Sequence, residues 1–124
     1  MSNVKYHKIK HLVEIEDDIL AVFTMTPEKQ NEIENLSIAK NANLTRNVID
    51  KIFKVLQDKF EKTKSETDLG NVVSQLKWTV YETDQIRILI IYEADYSVIV
   101  LIKSKTSLSE TVDNILGYYY ESTT

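Results

Sequence analysis

His7 and His11 stand four residues apart, a spacing that puts two imidazoles on one face of a helix and is that of a two-histidine metal site. Glu14 follows one turn later as a candidate third donor. No glutamate lies between the histidines to serve as a base, and Lys5, Lys8 and Lys10 surround them. Two solvated histidines on a lysine-rich face are the simpler reading, and no metal is expected. Asp17, Asp18, Asp84 and Asp95 fall at strand ends or turns, where carboxylates can ligate a cation. Turn-forming aspartate is the ordinary reason for that placement. Ser, His and Asp all occur, but no strand-to-helix nucleophile elbow does. The chain has no cysteine, which removes thiol nucleophiles, disulfides and cysteine metal sites. Two glycines and one proline leave no glycine-rich phosphate loop. The expectation is a protein that is not an enzyme and carries no cofactor.

Charge narrows the partners. Fifteen basic against nineteen acidic residues give a net charge of −4, which argues against a nucleic-acid binder. The cluster Lys5/His7/Lys8/Lys10/His11 could meet an acidic partner or a lipid surface, but it is small, and a solvated helix face accounts for it. The longest apolar runs are five or six residues, against the roughly 20 that a membrane-spanning helix needs. The N-terminal Met-Ser-Asn-Val-Lys-Tyr-His-Lys has no apolar segment of the secretory kind, so a cytoplasmic location is expected. At 124 residues, a single domain over 1–124 is expected.

Any working surface must be positioned by residues 86–103. Ile86–Glu93 and Ser97–Lys103 are β-branched runs around a polar corner, which predicts an antiparallel hairpin. Ile86, Ile88, Ile90 and Tyr92 share one face, and Leu89 and Ile91 the other. Val98, Val100 and Ile102 oppose Ile99 and Leu101 in the second strand. Both faces are apolar, so both must be covered. Residues 19–25 read as a third inner strand of the same kind. Residues 76–82 alternate Leu76, Trp78 and Val80 against Lys77, Thr79 and Tyr81, a strand with one face partly wet. Residues 26–43 read either as a helix entered through Thr26-Pro27 or as a turn and a polar strand over 32–39; the sparse Ile33, Leu36 and Ile38 favour the strand.

Three helices complete the order. Tyr6, Ile9, Leu12 and Val13 predict a short one over 3–14, with Ser2 or Asn3 as cap. Residues 44–62 predict the clearest, with Val48, Ile49, Ile52, Phe53, Val55, Leu56 and Phe60 as one apolar face, Asn43 or Thr45 as cap, and a polar loop over Thr63–Asp68. The capping-box pattern Ser107-Leu-Ser-Glu110 opens a third, carrying Leu108, Val112, Ile115, Leu116 and Tyr119, with Gly117 as its expected end. The fold class is α+β: an α/β/α sandwich over a five-stranded, mainly antiparallel sheet, ordered α-β-β-α-β-β-β-α, with 32–39 and 76–82 at the edges.

This order, with the ribbon Ile19–Ala39, the helix Leu44–Glu61, the meander Leu76–Lys103 and the helix Ser107–Tyr119, resembles the roadblock and dynein-light-chain family of the profilin-like and longin-like group. Ile88-Leu-Ile-Ile-Tyr-Glu-Ala-Asp95 before a short final helix looks like small archaeal members of unknown function. The sequence departs from the family at the first hairpin. Pro27-Glu28-Lys29-Gln30 and Ala39-Lys40-Asn41 stand where members carry a glycine-containing turn and a Gly-Gly. The resemblance implies a non-catalytic homodimer that pairs through the edge strand Leu76–Glu82 and the helix Leu44–Glu61, and that docks onto a small GTPase or acts as a scaffold subunit. The candidate surface is Trp78, Val80, Tyr81, Asp50 and Lys54. To these are added Tyr118 and Tyr120, because three consecutive tyrosines cannot share one helical face. Burial habits alone would instead turn Trp78 into the core. The rival reading is a small-molecule sensor of the PAS or GAF kind, which requires a cavity that the aliphatic inner strands do not suggest.

Overall fold

The computed structural model describes residues 2–15, 17–26, 33–40, 42–65, 77–93, 96–104 and 108–121, with the side chains of 2–8, 57–65, 108 and 121 outside that description. Its elements are α1 (Ser2–Ile15), β1 (Ile19–Met25), β2 (Glu34–Ile38), α2 (Arg46–Ser65), β3 (Trp78–Glu82), β4 (Ile86–Tyr92), β5 (Ser97–Lys103) and α3 (Leu108–Glu121). The five strands form one sheet in the order β2-β1-β5-β4-β3, every pairing antiparallel. The three runs that are apolar on both faces lie inside, and the two polar ones form the edges.

Each inner strand sends alternate residues to opposite layers. Leu89, Ile91, Val98, Val100 and Ile102 pack with Ile9 and Leu12 of α1 and with Val112, Ile115 and Tyr119 of α3. Ile88, Ile90, Ile99 and Leu101 pack with Ile49, Phe53 and Leu56 of α2. The faces are those read from the hairpin. Phe23 of β1 meets Phe53 edge-on, ring centroids 6.5 Å apart, which docks α2 on the sheet centre. Thr45 caps α2, its hydroxyl accepting the Val48 N–H at 3.3 Å.

Two bulges shape the ribbon. Ile19 pairs with Ile102 and Ala21 with Leu101, so Leu20 is an extra residue and both Leu20 and Ala21 join the α2 side. On the other edge Val22 pairs with Ser37 and Thr24 with Glu34, leaving one extra residue in β2. Asn35 sits there at φ 54°, the left-handed region that asparagine tolerates better than most residues. Its amide donates to the Thr24 hydroxyl at 3.0 Å, and that hydroxyl donates to the Glu34 carbonyl at 3.2 Å. Thr24, otherwise a buried polar group, is thereby satisfied.

The structure corrects three expectations. Gly117 does not end α3, which continues to Glu121. The Tyr118-Tyr119-Tyr120 turn holds the helix together because Tyr119 is buried in the core and Tyr118 packs against it. Helix α2 runs to Ser65, past the loop expected from Thr63. Val48 and Val55 do not join the buried face of α2; they are 41% and 54% exposed. At about 100° per residue they lie roughly 100–120° around the helix from Ile49, whereas Phe53 and Leu56 lie within about 40° of it. The corner 27–32, Leu76, Asp95, the Ser107 cap and the side chains of Ser2, Asn3, Tyr6, His7, Phe60 and Leu108 are outside the described residues. Among the described residues no helix is long and apolar enough to cross a membrane.

A Cβ at Gly117 meets no atom within 4 Å. Gly117→Ala is therefore expected to raise stability by about 0.5–1 kcal/mol, read from the urea midpoint. Asn35→Val should cost about 1–2 kcal/mol because a β-branched residue resists positive φ, and Asn35→Gly should cost less.

Candidate functional site

β3 forms one edge of the sheet. β3 pairs with β4 from Trp78–Ile91 to Glu82–Arg87 without a register break. No strand covers its outer side among the described residues. A regular, uncovered edge presents a row of backbone donors and acceptors. Trp78 is 40% exposed, so the inward placement favoured by burial habits does not occur. It is the first residue of the outermost strand, where only β4 flanks it.

The sheet divides the candidate residues between two layers. Trp78 and Val80 share the α1/α3 side, and Val80 packs against that layer's core. Tyr118 packs there too, and Tyr120 stands exposed on the same helix. Tyr81 lies on the α2 side, partly buried against that cluster. Asp50 accepts the Arg46 Nε–H at 3.1 Å, one turn away on α2, and Lys54 is exposed. These two stand on the flank of α2 opposite Val48 and Val55. The β3 edge joins the two groups. The exposed valines were missed because they fall within the helical apolar pattern; their seven-residue spacing at the margin of the stripe was the available signal.

A polar clamp fixes the end of this edge. The Arg87 side chain is buried on the α1/α3 side of β4, and its Nε donates to Glu82 Oε1 at 2.5 Å. Ser104, just after β5, donates its hydroxyl to the other Glu82 oxygen at 2.6 Å. Both hydrogen bonds, the serine's first, hold the Glu82 carboxyl below its usual pKa. The turn between β3 and β4 closes through Thr83, whose hydroxyl donates to the Ile86 carbonyl at 2.7 Å and accepts the Ile86 N–H at 3.0 Å. Asp84 is simply exposed in that turn.

A second polar contact anchors α3. The Tyr119 hydroxyl donates to the Glu93 carboxylate beyond β4, and the tyrosine pKa is driven up, by burial first and by this partner second. Burial likewise raises the Tyr92 pKa, partly offset by its hydrogen bond to Thr79. On α1, His11 Nδ1 and Glu14 Oε2 are 2.8 Å apart, so the histidine already has a carboxylate neighbour. Among the described residues no three histidine or acidic side chains converge as a metal site.

No family model matches the sequence, and no curated protein matches it. Solved structures do match the fold. The gliding protein MglB of Thermus thermophilus superposes with a TM-score of 0.72 at 8% identity, over 96% of this chain and 84% of that one. An MglB in a tetrameric arrangement gives 0.66 at 6% identity, over 95% and 89%. The Roadblock/LC7 domain of Streptomyces avermitilis gives 0.65 at 9%, over 93% and 91%. The chain has the Roadblock/LC7 fold. The strand Leu76–Glu82 and the helix Leu44–Glu61 of the sequence reading correspond to β3 and α2.

The pKa of Glu82 is lowered by folding, so its contribution is complete above its unfolded value of about 4.5 and is lost as pH falls through the lower folded value. Glu82→Gln should remove that part of the acid limb. Thermal unfolding from about pH 6 down to about pH 3 should show a shallower loss for the variant than for the wild type.

Proposed function

We propose that this chain is a cytoplasmic, non-catalytic interaction module that works as a homodimer, pairing through β3 and the adjoining face of α2. The observation that carries the reading is an unbroken, uncovered edge strand with a tryptophan exposed on it. Two edges meeting across a two-fold axis would satisfy each other's backbone groups and cover Trp78. The valines on α2 add apolar surface on the second layer. A tetrameric arrangement of one fold neighbour is in keeping with self-association as a use of this fold. The resemblance points to a small GTPase or a scaffold assembly as the further partner, and Asp50, Lys54, Tyr118 and Tyr120 are then the residues left to meet it.

Light scattering at micromolar concentration should give twice the chain mass of 14.4 kDa. Trp78 is the single tryptophan, so its emission reports the interface directly. Emission should shift to the red on dilution, and Trp78→Asp should weaken dimerisation by about tenfold or more while the far-ultraviolet circular dichroism is kept. A strict monomer at all concentrations would end the reading. The GTPase arm is tested by screening small GTPases of the source genome in both nucleotide states; selective retention of one state supports it.

A further inference from the structure

At the end of the sheet away from β3, the second half of α1, the start of β1, the end of β2 and the last residue of β5 enclose an open cleft of about 680 Å³. That is the size of an ordinary small-molecule site, typically about 300–1,000 Å³. Val13 from the α1 side of the sheet and Leu20 and Ile38 from the α2 side contribute its apolar lining, so the cleft wraps the end of the sheet. Ile38 is 38% exposed, an aliphatic side chain only partly covered by the rest of the described structure. The rim carries Lys10 of α1, Lys40 after β2 and Lys103 at the end of β5, three cations from three separate elements. Among the described residues no carboxylate ion-pairs with any of them.

The balance of charge decides what such a cleft favours. Three lysines face two carboxylates, Glu14 and Asp17, and Glu14 is already engaged by His11. The carbonyl end of α1 sets about half a negative charge against this excess, which reduces it without reversing it. The cleft is thus a locally positive opening on a chain whose net charge is −4. An extended peptide added to β2 is a poorer occupant, because the bulge at Asn35 breaks that edge.

We propose that this cleft binds an amphiphilic organic anion, its acidic group among Lys10, Lys40 and Lys103 and its apolar body on Val13, Leu20 and Ile38. Lysines act on such a group as point charges, so carboxylate, sulfonate and phosphate compounds all qualify, and the apolar body selects among them.

The test titrates the full-length chain with the fluorescent sulfonate 8-anilinonaphthalene-1-sulfonate, then competes with octanoate, octanol or octylammonium. Saturable one-to-one binding that weakens with salt is expected, with octanoate as the effective competitor. The double variant Lys40→Glu/Lys103→Glu should weaken binding by about tenfold or more at unchanged melting temperature, since both sites reverse sign. Ile38→Asp should weaken it as well, and Lys51→Glu, at an exposed position of α2 away from the cleft, should leave it unchanged. Absence of saturation, equal competition by the neutral or cationic compound, or an unaffected lysine variant would overturn the proposal. Loss of binding in Lys51→Glu would put the dye outside the cleft and overturn it equally, whatever the oligomeric state proves to be.

Discussion

Three adjacent strands that are aliphatic on both faces cannot be left half-wet, and the rest of the fold follows from covering them twice. A five-stranded sheet spans roughly 19 Å across its strands, and a helix with its side chains is about 10–12 Å wide. Two helices therefore roof one face, and α1 and α3 do so. On the other face, among the described residues, α2 packs over the middle of the sheet. Partly buried residues flank its core on both sides, Ile33, Leu36, Ala42 and Leu44 toward β2 and Tyr81, Ile86 and Tyr92 toward β3 and β4.

The polar contacts inside this frame act as fasteners between elements distant in sequence. Glu82, Arg87 and Ser104 tie β3, β4 and the end of β5 into one unit. An arginine buried on an otherwise aliphatic face would be costly without its carboxylate, so the pair depends on the register that sets Glu82 opposite Arg87. Tyr119 and Glu93 do the same for α3, pinning its last turn to the end of β4. Neither cluster has the open geometry of a reactive site. Their effect is to hold β3 and α3 in place at the margins of the fold.

What was legible in the sequence was whatever depends on local periodicity. The two-sided runs at 19–25, 86–93 and 97–103 give the inner strands and their faces, because a period of two assigns each side chain to a layer without knowledge of its neighbours. Edge positions followed from polarity. What was not legible depends on how elements meet. The apolar pattern of α2 includes Val48 and Val55, but the buried width of a helix is set by the sheet beneath it. Gly117 looks like a helix end until Tyr119 is seen in the core beyond it. The Glu82–Ser104 contact spans 22 positions and has no signature until the register of three strands is known.

The two edges of the sheet differ in local chemistry. β3 is regular and open, whereas β2 is interrupted by a left-handed asparagine and so protected from strand addition. Just past β2 the chain bends without glycine: the Ala39 N–H donates to the Leu20 carbonyl at 2.8 Å and the Ala42 N–H to the Ala39 carbonyl at 3.0 Å. Ordinary residues therefore suffice where the family resemblance would place Gly-Gly, and the position gains a side chain. Lys40 is that side chain, and it stands on the rim of the cleft. A glycine there would leave the opening with two lysines against two carboxylates, no excess to attract an anion. The departure that weakened the sequence resemblance is thus the one that supplies the positive excess of the α1 cleft.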